Sequence, residues 1–343
     1  MKAIVREKFG SSDVLELREV PRPSPKADEV LIKVHVTHIS TGDSKARSGK
    51  TPWPLMRVPA RMMMGIVKPK QAILGGEFSG QVVDVGERVS RFQIGDEVFG
   101  FTGMQFGAFA EWVAMPEHGM ITHKPDNVSP ENAAAIGPIH VGTSLCFMQK
   151  ANIKPGHKVL INGASGGLGR PAVLLAKHFG AEVTGVCSTA KMDMVRALGA
   201  DEVIDYTQED FTRNGKRYDI IFDMADLTPF AKFKDSLTPS GIHILAMFGL
   251  RHLWQMYRTS GSGGKRVICG LGSESPEVLD SIRDLMAGGA LVPIIDKIFP
   301  LERTAEASRY IDNGEHRGSV LVSIDNEIPA EARARSEREL AAV

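Results

Sequence analysis

Little in this chain supports a disulfide scaffold, a membrane span or a polyanion-binding surface. Its three cysteines, Cys146, Cys187 and Cys269, stand far apart with no C-x-x-C pair, which argues against a disulfide framework and for a reducing compartment. No apolar run approaches the ~18 residues that a membrane span needs. Lysine plus arginine equals aspartate plus glutamate, 41 each in 343 residues, so no charge excess points to nucleic acid or an anionic membrane. Residues Met1 to Val5 read directly as a strand rather than a leader, and a cytoplasmic protein is expected. The length suffices for two domains with full cores.

What is present is a glycine-rich turn between a strand and a helix. Val159, Leu160 and Ile161 form a continuous apolar run, as a strand covered on both faces requires. Ala164, Ser165, Gly166, Gly167, Leu168 and Gly169 follow, and a helix is expected over residues 171–179. Such a turn lets the backbone approach phosphate oxygens, while the helix start offers N–H groups and a positive dipole end. Ala164 holds the first glycine position of the usual pattern, so the motif alone is weak. Its context is stronger: strands are expected at 181–186, 202–205, 219–223, 241–246 and 266–270, with a helix at 191–198 among them. Strands alternating with helices predict a doubly wound parallel sheet of the Rossmann type, an α/β dinucleotide-binding domain.

The texture before it differs. Short alternating strands are expected at 30–36, 80–85, 97–100 and 109–114, separated by turns, as in an antiparallel, partly barrel-like domain. A strand at 292–299, a helix at 302–312 and a strand at 319–324 could return to complete that domain and leave a cleft. Residues 53–74 form an apolar, Met-rich excursion suited to covering a hydrophobic substrate, and residues 247–257 could close the other side. The last residues alternate in charge and read as a solvated tail.

The strand after the glycine-rich unit ends at Ser188 with no acidic residue, and Lys191 follows closely. An acid there would hold the adenosine ribose and repel a 2′-phosphate, so its absence favours NADPH over NADH. His140, at an expected helix start, is a candidate for hydrogen bonding to substrate, with a structural role as the alternative.

Taken in order, Asp13-Val14-Leu15-Glu16-Leu17, Gly95-Asp96-Glu97-Val98-Phe99-Gly100, Gly107-Ala108-Phe109-Ala110-Glu111, Asn162 through Gly169, Leu198-Gly199-Ala200-Asp201 and Val292-Pro293-Ile294-Ile295-Asp296 resemble the medium-chain dehydrogenase/reductase superfamily, in its zinc-independent quinone oxidoreductase branch. The resemblance spans roughly residues 1–324. It implies a GroES-like β-rich catalytic domain (1–123 and 292–326), a Rossmann NADPH-binding domain (124–291) and a peripheral tail (327–343). It further implies 2′-phosphate contacts for Lys191 and Tyr206, and a homodimer.

Zinc-dependent relatives carry a cysteine after an early strand, a histidine in Gly-His-Glu and a later cysteine. The matching places here hold Ser40, Gly76 and Ile139, which cannot replace thiolate and imidazole donors. Without a metal, a conjugated acceptor is the better substrate, because incoming charge delocalises before protonation. Catalytic candidates are Ser40, Asp43, Lys45 and His140. Lys45 stands where some relatives carry a tyrosine, which leaves solvent as an alternative proton source. The expected activity is NADPH-dependent reduction of quinones or α,β-unsaturated ketones and aldehydes. An alcohol dehydrogenase or carbonyl reductase, and an NADPH-binding protein with vestigial catalysis, are the alternatives.

Overall fold

The computed structural model describes residues 1–50, 62, 64–224, 230–246, 248–261, 263–270, 272 and 275–324. Much of the Met-rich excursion (51–61 and 63), Met247 and the expected tail at 327–343 lie outside the described residues. In chain order, β1 (Lys2–Val5), β2 (Glu16–Glu19), β3 (Glu29–Ile39), β4 (Glu77–Val85), β5 (Glu97–Phe101), β6 (Trp112–Pro116) and β7 (Met120–His123) come first. Then follow β8 (Lys158–Asn162), β9 (Glu182–Cys187), β10 (Glu202–Asp205), β11 (Tyr218–Asp223), β12 (Leu237–Leu245) and β13 (Arg266–Cys269), and after them β14 (Ile295–Pro300) and β15 (Ser319–Ser323). The chain divides into two compact units. One comprises the described residues of Met1–Pro138, Ser275–Ala287 and the stretch from Pro293, and the other those of Ile139–Glu274 and Gly288–Val292.

The first unit is GroES-like and β-rich. Its main sheet runs β14-β15-β3-β4-β5-β7, with β6 paired to β3. The long strand β3 is the spine: residues 29–33 pair with β6, residues 36–39 with β15, and β4 runs alongside. Val30, Ile32 and Val34 alternate onto one face and pack with Phe78, Val82, Val98 and Ile121, while most residues of the other face are buried as well. The strand expected at 109–114 forms later, as β6. Phe109 donates instead to the Leu74 carbonyl and accepts from Ile4, so its backbone is spent on a cross-connection before the ladder begins.

The second unit is a six-stranded parallel sheet in the order β10-β9-β8-β11-β12-β13, the doubly wound Rossmann arrangement. Val159, Leu160 and Ile161 in β8 are fully buried, as the unbroken apolar run demands. The order reverses between β8 and β11, and the C-terminal ends of strands at such a switch point are where ligands bind in open α/β sheets. The helix Pro276–Ala287, within the span expected for the nucleotide domain, groups with the β-rich unit instead. Thr122 at β7 donates to Asp280 on this helix (2.7 Å) and Arg283 reaches the same carboxylate, polar contacts that no periodicity reveals.

Candidate active site: a phosphate turn and a metal-free capping cluster

At the end of β8 the chain turns sharply. Gly163 adopts φ +89°, a left-handed conformation that suits glycine, and the N–H groups of Gly163 and Ala164 both donate to Val186 of β9. Gly166 donates back to Gly163, and Arg170 to Gly166. Among the described residues, the N–H groups of Ser165, Gly167 and Leu168 are engaged in no hydrogen bond. Unengaged backbone donors at the start of the helix Gly169–His178 are a cradle for an anion. Two glycines have steric reasons to be glycines. A Cβ on Gly169 would lie 2.1 Å from the Gly163 oxygen, and one on Gly185 would meet Val195 at 2.5 Å and the Ala164 methyl at 3.1 Å. Ala164 fits its glycine-like position because β9 supplies Gly185 opposite it. A Cβ on Gly166 would find only the Gly163 oxygen, at 3.3 Å, so that side of the turn is open.

The neighbouring strand ends complete the edge. Ser188 follows β9 and opens the short turn Thr189–Lys191, where the Lys191 N–H donates to the Ser188 carbonyl. Tyr206 follows β10, is 63% exposed, and donates its N–H to Cys187. Asp205, which sequence reasoning missed, joins the two turns. Its carboxylate accepts from the Thr189 hydroxyl and from the Thr207 N–H and hydroxyl (2.9 and 2.8 Å). The Thr189 bond, foremost, holds the Asp205 carboxyl below its ordinary pKa. The only signal in the sequence is an aspartate ending a strand before a short polar turn. Ala164–Gly169, Ser188, Lys191 and Tyr206 therefore share the strand-end side of one sheet. His140 belongs to the same unit, with its Nε2 3.2 Å from where a Gly167 Cβ would sit. The Ser144 hydroxyl, on the same helix Pro138–Lys150, donates to the Leu168 carbonyl.

In the first unit, Ser40 and Asp43 form a capping box at the helix Thr41–Ser48. Ser40 Oγ accepts from the Gly42 and Asp43 N–H groups and donates to Asp43 Oδ2 (2.8 Å), which also accepts the Ser40 N–H (2.9 Å). Asp43 Oδ1 reaches the Gly75 N–H at 3.3 Å. Burial raises the Asp43 pKa above the usual carboxylate value, the Ser40 bonds oppose it, and the charge of Glu77 adds to the rise. Ser40 has one hydroxyl proton, and it is directed at Asp43. Lys45, on the same helix, is exposed.

Ser40 is engaged in capping, and a Cβ on Gly76 would meet the Phe101 ring at 2.7 Å, so a side chain there would require that ring to shift. Beside it, His38 Nδ1 pairs with Glu77 at 2.5 Å, both side chains buried. Among the described residues no group of three or more His, Cys, Asp or Glu side chains could hold a metal ion.

Comparisons with known proteins agree with this fold. Residues 26–126 match the alcohol dehydrogenase GroES-like domain and residues 198–322 a zinc-binding dehydrogenase domain, although the chain lacks the zinc donors. The chain is 31% identical to a 2-methylene-furan-3-one reductase of Solanum lycopersicum and to a chloroplastic NADPH-dependent alkenal/one oxidoreductase of Arabidopsis thaliana, in each case over 94% of this chain and 79% of the relative. The solved structure of a quinone oxidoreductase from Coxiella burnetii matches at a TM-score of 0.80 and 28% identity, covering 95% of this chain and 99% of that one. The chain belongs to the medium-chain dehydrogenase/reductase family, in its quinone oxidoreductase-like branch, and is an oxidoreductase with a nicotinamide-cofactor fold. No described helix is long and apolar enough to cross a membrane.

If Ser40 is a cap, Ser40→Ala should lower the unfolding free energy by about 0.5–2 kcal/mol in urea melts followed by circular dichroism. Asp43→Ala, which strips the acceptor from both Ser40 and Gly75, should cost more. Wild-type stability in both variants would remove the capping role.

Proposed function

We propose that this protein uses NADPH to reduce quinones or α,β-unsaturated ketones and aldehydes, without a metal ion. The observation that carries the reading is the pairing of an anion-ready turn at the switch point of the sheet with a zinc position closed by Phe101 and by the Ser40 cap. The relatives' printed activities, alkenal/one and furanone reduction, support the acceptor class. The Coxiella burnetii neighbour supports quinones.

Bound nicotinamide supplies hydride, and the chain's own residues supply binding and orientation. Ser165, Gly167 and Leu168 offer backbone donors to a pyrophosphate, Gly166 keeps the approach clear, and His140 lies against this turn. Lys191, Ser188 and Tyr206 are assigned to the adenosine 2′-phosphate, on turns held together by Asp205. Ser40 and Asp43 act as positioning residues. Lys45 is the accessible proton-bearing side chain among the catalytic candidates, with solvent as its competitor. A saturated carbonyl would place nearly full charge on an oxygen that no metal polarises, whereas a conjugated acceptor spreads it into an enolate or quinol oxyanion. A cytoplasmic homodimer belongs to the same reading, on the isolated cysteines and the resemblance.

Lys191→Ala should weaken NADPH roughly 10- to 150-fold, the worth of one charge-assisted hydrogen bond, and leave NADH nearly unchanged in fluorescence titrations. Equal losses for both cofactors would reject the 2′-phosphate assignment. Turnover of a matched pair, one enone and its saturated ketone, should give saturated ketone from the first and little alcohol from the second. Brisk reduction of the saturated ketone would favour a carbonyl reductase, and NADPH binding with no turnover of any enone or quinone would favour a vestigial enzyme.

A further inference from the structure

Within the β-rich unit lies a cavity of about 340 Å³ lined by Arg6, Met64, Lys70, Gln71, Met104 and Phe106, at the lower end of ordinary small-ligand pockets. Its walls combine three apolar side chains with two cations. Arg6 is 2% exposed, and its guanidinium donates to the Ala46 carbonyl (2.5 Å) and more weakly to the Gln71 carbonyl (3.4 and 3.5 Å). These bonds leave one N–H on each of Nη1 and Nη2 unused. Among the described residues neither Arg6 nor Lys70 forms an ion pair. Burial, then the nearby Arg47, pulls the Arg6 pKa down to about 10, with the charge of Asp43 opposing the fall, the mark of a largely desolvated cation.

The apolar wall is held deliberately. Phe106 has φ 54° and ψ −156°, a conformation that bulky L residues rarely adopt. It packs with Met64 against the Ile4, Leu74 and Phe109 core. Met104 stands 52% exposed on the adjoining turn, a flexible thioether at the cavity wall.

We propose that this cavity binds an amphipathic carboxylate, its chain against Met64, Met104 and Phe106 and its carboxylate on Arg6 and Lys70. A buried guanidinium whose described hydrogen bonds go only to backbone carbonyls is matched by a carboxylate through charge-assisted hydrogen bonds, and thioether and phenyl walls suit an alkyl tail. The site requires neither nicotinamide nor hydride transfer.

Calorimetric titration of the cofactor-free full chain at neutral pH, with octanoate, octanol and octylamine as probes, tests it. Octanoate should bind saturably and at least about ten-fold more tightly than octanol, with octylamine weaker still. Met104→Glu, a change at a half-exposed position, should weaken octanoate by at least about ten-fold and spare octylamine. Lys70→Met should narrow the octanoate preference, and Arg6→Met, if circular dichroism shows it folded, should abolish it. Equal affinities for the three probes, no saturable octanoate binding, or octanoate binding undiminished in Met104→Glu would overturn the proposal and leave the hydride-transfer reading standing.

Discussion

The helix that opens at Gly169 approaches the turn after β8 so closely that only a hydrogen fits between them. A Cβ there would overlap the Gly163 carbonyl. That approach fixes the helix start over the strand end, where the intervening N–H groups of Ser165, Gly167 and Leu168 engage no hydrogen bond among the described residues. It also forces Ala164 towards β9, which meets it with Gly185. Each local choice supports the next, from the left-handed Gly163 to the bare Gly185, the mutual consistency expected of a sequence that specifies one backbone.

The second constraint is the closure of the metal position. A capping box usually stabilises a helix by about 1 kcal/mol, but here it also consumes the one hydroxyl proton where zinc-dependent relatives carry a thiolate. Phe101 fills the space at Gly76, and the buried His38–Glu77 pair lies beside it. Removing either partner of this buried imidazole–carboxylate pair would strand the other.

Much of this was legible in the sequence. The unbroken apolar run of β8 and the alternating strands and helices that follow require a covered parallel sheet, and the glycine-rich turn falls at its switch point. What stayed hidden depends on tertiary neighbours. Asp205 joins two turns that are distant in sequence, and the capping box that ties Ser40 to Asp43 was not read from the sequence. His140 was legible as a residue at a helix start but not as a neighbour of Gly167. Phe101 and Gly76 meet across the β4–β5 pairing. The helix Pro276–Ala287 joined the β-rich unit through Thr122 and Asp280, a contact that only the fold creates.

The central claim is that hydride goes to a conjugated carbon rather than to an isolated carbonyl. It is tested most directly by following the label from NADPH carrying deuterium at the hydride-donating carbon into a simple enone, with the product read by NMR. The account predicts deuterium at the β-carbon of a saturated ketone, at full rate in protein stripped of metal by chelation. Deuterium on the carbinol carbon of an allylic alcohol, or activity that returns only when zinc is restored, would contradict it.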